Sequence, residues 1–185
     1  MRTKIFKLTL ALLVVGAGVA MAANTNGGGA CTDQQITDKL THEIRMYARY
    51  TLWDNIAVRV REGDVELVGQ VSQPFKKADL GRIAQRVPGV RSVANQLQVL
   101  PNSFFDDRLR LQVARAIYRD PVLTRYAIES VPSIHIIVDN GHVTLEGVVN
   151  NEMEKNVAGI RAGQAGLSFG QVTNNLRVEN PGKKG

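Results

Sequence analysis

Two stretches of the chain, "REGDVELVGQV" (Arg61–Val71) and "DNGHVTLEGVV" (Asp139–Val149), say nearly the same thing. Gly63 matches Gly141, Val65 matches Val143, Leu67 matches Leu145, Gly69 matches Gly147 and Val71 matches Val149. The matches fall on every second residue, which is the period of a β-strand. The repeat extends outward on both sides. "VANQLQV" (Val93–Val99) matches "VTNNLRV" (Val172–Val178), and "DQQITDKLTHEI" (Asp33–Ile44) aligns with "DDRLRLQVARAI" (Asp106–Ile117). In the last pair Ile36, Leu40 and Ile44 face Leu109, Val113 and Ile117, in steps of four that belong to a helix. Asp33 and Asp106 stand where N-caps are expected.

Each copy therefore reads helix, strand, strand, helix, strand. Ile56, Val58 and Val60 alternate with more polar residues, turn at Glu62-Gly63, and return through Val65, Leu67 and Val71. In the second copy Ile134, Ile136 and Val138 lead into Asn140-Gly141, a strong hairpin signal because both residues tolerate positive φ. Gly63 and Gly141 thus belong to tight turns. Gly69 and Gly147 instead interrupt a strand, which predicts a bulge or a close backbone approach by the packed helix. The next helix of the first copy is expected to begin at Pro74. It carries Leu80, Ile83, Ala84 and Val87 on one face and stops at Pro88-Gly89. Its counterpart holds Gly159, Gly163 and Gly166, each unfavourable by about 1 kcal/mol relative to alanine, so a weaker or shorter helix is expected there.

The copies are joined by residues 101–105, and burial of Phe104 and Phe105 between the units is expected to support both. "MYARYTLW" places Tyr47, Tyr50 and Trp53 at helical steps and suggests an aromatic part of the first core.

Of the formal charge of +6, three positives (Arg2, Lys4, Lys7) lie in the first seven residues, and without them the chain is only mildly basic at +3. That charge permits contact with anionic lipid and gives no argument for nucleic acid. Residues 1–22 read as a secretory signal, with a basic start, an apolar run from Leu8 to Val15 and the small triplet Ala20-Met21-Ala22. A periplasmic protein follows, with residues 23–32 a flexible leader and 180–185 a tail. The single cysteine, Cys31, excludes an internal disulfide. The "GGGA" before it lacks the branched apolar residue usual ahead of a lipidated cysteine, so lipoprotein anchoring is not expected.

The duplicated "G-x-V-x-L-x-G-x-V", the amphipathic helix after it and the closing "V-x-N-x-L-x-V", behind an export signal, resemble the BON domain family. The resemblance is to its dual-domain, osmotically inducible periplasmic members, and it spans residues 33–100 and 106–179. It implies an α+β fold of two tandem αββαβ units, each a small mixed three-stranded sheet with two helices packed on one face. It also implies a non-enzymatic role in the envelope under stress, with phospholipid binding.

No catalytic, metal or cofactor motif competes with that reading. His42, His135 and His142 have no metal-ligand spacing, and His135 is expected to be solvent-facing or capped. For lipid, the second helix of the first copy offers Phe75, Lys76, Lys77, Arg82 and Arg86 as a basic outer side, and Met153, Lys155 and Val157 open the equivalent helix. The expected partner is an anionic phospholipid or membrane surface. The alternative is an adaptor that captures an envelope protein along an exposed sheet edge.

Overall fold

The computed structural model describes residues 31–129, 131–165 and 171–179. The residues read as an export signal, most of those read as a leader, Gly166 and those read as a tail lie outside the described residues. The first unit runs α1 (Asp33–Met46), β1 (Asn55–Arg61), β2 (Asp64–Val71), α2 (Pro74–Arg86), β3 (Ser92–Asn95) and β4 (Gln98–Val99). The second runs α3 (Phe104–Tyr118), a 3-10 turn (Thr124–Ala127), β5 (Ile134–Asp139), β6 (His142–Val149), α4 (Glu152–Ala165), β7 (Val172–Asn174) and β8 (Arg177–Val178). β1 and β2 pair antiparallel, and β3 and β4 both pair parallel to β2 in one register, so they are a single edge strand briefly interrupted. β5 to β8 repeat the arrangement. Helices pack on one face of each sheet, as the alternation requires. Ile36, Leu40 and Ile44 meet Val65, Leu67 and Val71 in one core, and Leu109, Val113 and Ile117 meet Val143, Leu145 and Val149 in the other.

The interruption of the edge strand explains the repeated asparagine of "V-x-N-x-L". Asn95 Nδ2 donates to the Lys77 carbonyl at 2.7 Å while its Oδ1 accepts from the Leu97 N–H at 3.3 Å. Asn174 does the same with Lys155 and Leu176, at 2.7 and 3.2 Å. Each side chain ties a helix to the strand break and lies where a Cβ on Gly81 or Gly159 would sit, 2.8 Å away. Gly159 is therefore a packing requirement. α4 is not shortened by its glycines: it has 14 residues against 13 in α2. It does present Ala158 where α2 presents Leu80, and Leu123 and Tyr126, from the longer connection of the second unit, fill that core.

Asp33 and Asp106 are not the caps. Thr32 and Ser103 take that role, with Thr32 forming a capping box with Gln35. Each aspartate instead reaches across to a hairpin turn. Asp33 accepts from the N–H groups of Glu62 and Gly63 at 2.7 and 2.9 Å, and Asp106 from those of Asn140 and Gly141 at 3.0 and 2.9 Å. A bidentate carboxylate thus satisfies two turn donors that have no strand partner. Asp106 is 1 % exposed, and hydrogen bonds to a charged group contribute about 1.5–3 kcal/mol. Asp106→Ala is accordingly expected to lower unfolding free energy by about 2 kcal/mol in urea. An unchanged midpoint would contradict the clamp.

Three other expectations are corrected. Gly69 and Gly147 are approached by the hairpin partner strand and not by a helix: a Cβ would lie 2.1 Å from the Asn55 carbonyl oxygen and 2.0 Å from that of Ser133. Phe104 and Phe105 are 80 % and 53 % exposed and are not buried between the units. The first turn of α3 points them outward. Tyr47, Tyr50 and Trp53 follow the end of α1 and are not on a helix. Only Tyr47 packs on the first core, whereas Trp53, with Leu52, packs on the core of the second unit.

Candidate functional site

Because Leu109, Val113 and Ile117 turn one side of α3 to the sheet, the opposite side must carry residues about half a turn away. These are Phe104, Arg108, Leu111, Arg115 and, just past the helix, Arg119. Phe104 is 80 % and Leu111 49 % exposed, and the Arg108 guanidinium lies 6.0 Å from the centre of the Phe104 ring. The stripe alternates apolar and cationic side chains and holds no acid. Asp107 flanks it and is engaged by the buried Arg110.

α4 packs beside α3 and adds Met153 and Ile160, 53 % and 58 % exposed. Between the C-terminal halves of the two helices lies a groove of about 410 Å³ lined by Arg115, Arg119, Asp120, Arg161 and Gln164. Asp120 accepts from Arg161 Nε at 2.6 Å and from the Val122 N–H at 2.8 Å. These donors, Arg161 foremost, hold its carboxyl below the ordinary aspartate range. Asp120 is thereby committed to Arg161, and among the described residues Arg115 and Arg119 form no ion pair. The groove can take an anion, beside apolar side chains able to enter an interface.

The residues proposed from sequence do not form one surface. Phe75 is 42 % exposed, with the Arg49 guanidinium 4.9 Å from its ring centre. Lys76 is not on the outer side: it is 5 % exposed and its Nζ lies 2.6 Å from Asp54 Oδ2. Lys77 is half-buried, and Arg86 is exposed. Arg82 pairs with Asp79, whose carboxyl is held below its usual range by the Tyr47 hydroxyl and then by Arg82. The expected basic side of α2 thus reduces to Arg86 and the outer part of Lys77. Of the α4 residues Met153 joins the α3 surface, Lys155 is half-buried and Val157 packs on the second core. Sequence reasoning missed the α3 stripe although its signal is there, as Phe, Arg, Leu and Arg at steps of four, three and four. The buried stripe of the same helix is the more regular pattern and masks it.

Lys76 and its counterpart Glu154 occupy the same place in the second helix of each unit, both buried. In the first unit Asp54 accepts from the Ser72 N–H and is neutralised by Lys76. In the second, Glu154 itself accepts from the Asn150 N–H and is neutralised by Arg125, with the Tyr126 hydroxyl donating to it. The carboxylate has moved from loop to helix and the cation from helix to loop.

A second cleft, of about 670 Å³, lies between the units. It is bounded by the start of β1 on one side and by Val131–Ser133 and His135 on the other. His135 is 9 % exposed, contrary to the expectation of a solvent-facing or capped side chain.

Among the described residues no group of three or more His, Cys, Asp or Glu is placed to hold a metal ion. Within the same residues no helix is long and apolar enough to cross a membrane.

Compared with known proteins, the chain matches the family described as BON domain twice, over residues 32–101 and 106–180. No curated protein is matched. Among solved structures it is similar to CdsD, a structural protein of the type III secretion system of Chlamydia trachomatis, at 14 % identity and a TM-score of 0.29. That match covers 77 % of this chain, which spans 60 % of the other. The C-terminal domain of CdsD is also similar, at 12 % identity and a TM-score of 0.29, covering 80 % of this chain and 99 % of that one. Likeness at this level says nothing further about the fold or role of this chain.

Proposed function

This chain belongs to the BON domain family, and from that premise we propose that it is a non-enzymatic periplasmic protein that binds anionic phospholipid and supports envelope integrity under stress, similar in role to the osmotically inducible periplasmic members. The observation that carries this reading is the outer face of α3 and α4. Phe104, Leu111, Met153 and Ile160 are exposed on the same helices as Arg108, Arg115 and, just past the end of α3, Arg119, with the exposed acids Asp107 and Glu152 only in the first turns and Asp120 already paired with Arg161. Apolar side chains enter the boundary between headgroups and acyl chains while arginines meet the phosphates. Each basic residue near an anionic surface contributes about 1 kcal/mol.

Vesicle flotation of the full chain tests this. Binding to phosphatidylglycerol vesicles is expected at low salt and is expected to weaken as salt screens the arginines. The variant Arg108→Ser/Arg115→Ser/Arg119→Ser is expected to bind about 100-fold more weakly. Replacing Lys77, Arg82 and Arg86 together is expected to change binding less, because Asp79 already offsets Arg82 and Lys77 is half-buried. A folded chain that ignores anionic vesicles, or an α3 triple variant that binds like its parent, would remove the proposal.

A second reading, an adaptor for envelope proteins, is favoured by one observation. β1 ends its sheet, and Asn55–Val58 line the open cleft between the units, where an extended segment could add to the edge. It predicts capture of a protein partner that is indifferent to lipid charge.

A further inference from the structure

β1 and β5 are equivalent strands in different surroundings. On the face turned away from the helices, Ala57 and Arg59 of β1 are exposed, whereas His135 and Ile137 of β5 are 9 % and 5 % exposed. At His135 the cover comes from the first unit. The Leu52 carbonyl accepts from the Ile136 N–H at 2.8 Å, the one backbone hydrogen bond between the units among the described residues. The Tyr50 ring lies 5.5 Å from that of His135, with the planes 32° apart, and its hydroxyl is 3.4 Å from Nε2. Leu52 and Trp53 rest on the second core. His135 Nδ1 and Ser133 Oγ, both buried in this joint, have no hydrogen-bond partner.

A neutral imidazole is tolerated in such a place. A second proton would put a cation there with no acceptor at Nδ1. We propose that the joint is operated by a proton: protonation of His135 releases residues 50–53 from β5, parts the two units and bares the edge of β5.

The surrounding charges do not remove the effect. Burial pushes the imidazole below the usual histidine range, and the Thr51 backbone, the Asp54 carboxylate and the Asp54 backbone oppose this without reversing it. Asp54 is engaged by Lys76, and Glu146, opposite His135 on β6, accepts from Asn175. Glu129, Arg45 and Arg177 line the same cleft with charges of both signs. Burial also pushes the Tyr50 hydroxyl up to about 12, so it stays protonated and neutral. In the parted state the imidazole titrates near its ordinary value of about 6.5. The joint is therefore fully held above that pH and weakens as pH falls through the lower value of the docked state.

Trp53 is the only tryptophan, so its emission reports the joint directly. In the full chain, titration from about pH 8 to about pH 5 is expected to shift the emission to the red, with a midpoint below about 6.5. The far-UV circular dichroism should stay unchanged and the radius of gyration should rise. His135→Phe should hold the emission blue at every pH, and His42→Gln/His142→Gln should keep the transition. Absence of a transition, its survival in His135→Phe, or loss of helix at the same pH would overturn the proposal. If His135→Phe does not fold, the His42→Gln/His142→Gln chain decides. Its one remaining imidazole must titrate by NMR at the midpoint of the emission change, and a different midpoint overturns the proposal.

Discussion

Gly147→Ala is expected to lower the stability of the second unit by at least about 4 kcal/mol. Two effects combine. Gly147 has φ of +120°, where an alanine is strained, and such conformations alone cost about 1–3 kcal/mol. The new Cβ would also stand 2.0 Å from the Ser133 carbonyl oxygen, which accepts the Val148 N–H at 3.1 Å. Relief requires the start of β5 to leave β6, and Ile134, 0 % exposed, would leave the core with it. A domain of this size loses roughly 4–8 °C of Tm per kcal/mol, so a fall on the order of 20 °C is expected by calorimetry. Gly69→Ala should act alike on the first unit, at φ of +121° and 2.1 Å. Gly163→Ala provides the contrast. That glycine lies in α4 with nothing within 4 Å of its added Cβ, so the change should stabilise by up to about 1 kcal/mol. If Gly147→Ala and Gly163→Ala have equal effects, the carbonyl approach is not what fixes glycine at 147.

Lys76→Met is expected to cost about 3–5 kcal/mol, because it strands a carboxylate in the interior. Asp54 is 0 % exposed and accepts at 2.6 Å from Lys76, at 2.8 and 2.9 Å from the backbone and hydroxyl of Ser72, and at 2.9 and 2.8 Å from those of Thr51. Removing the cation leaves the other four donors around an unbalanced charge. The damage should travel along the chain, since Thr51 and Asp54 frame the segment that rests on β5. Trp53 emission should move to the red even near neutral pH. The buried amine is also predicted to be irrelevant to lipid, so a folded Lys76→Met chain should float with anionic vesicles as well as its parent. A loss below about 1 kcal/mol in urea, well short of the 3–5 kcal/mol typical of a broken buried pair, would mean that water reaches Asp54. Reduced flotation of the folded variant would return Lys76 to the membrane surface.

Much of the architecture is legible from periodicity. Ile36, Leu40 and Ile44, or Val65, Leu67 and Val71, each need only their own spacing to define a buried face. The hairpin turns are equally local: Glu62-Gly63 and Asn140-Gly141 all have positive φ. The candidate site is less legible because amphipathicity reports where a helix meets its core and does not say which polar residues remain available. Arg82 looks as free as Arg115 until Asp79 is placed beside it, and Lys76 looks solvated until Asp54 arrives from an earlier loop. One further signal lies in the strands. "IHII" in β5 is an unbroken apolar run but for His135, the pattern of a strand covered on both faces, where β1 reads "IAVR".

Spacing between near neighbours was enough to specify two αββαβ units, since it says which side of a strand or helix avoids water. Two outcomes waited on the assembled molecule: that Tyr50–Trp53 of one unit rest against β5 of the other, and that Lys76 turns inward. Each depends on residues brought together from distant parts of the chain, such as Tyr50 and His135, 85 positions apart. A local pattern can say that a strand is covered, but which residues cover it and which charges pair there are set by the packed surfaces.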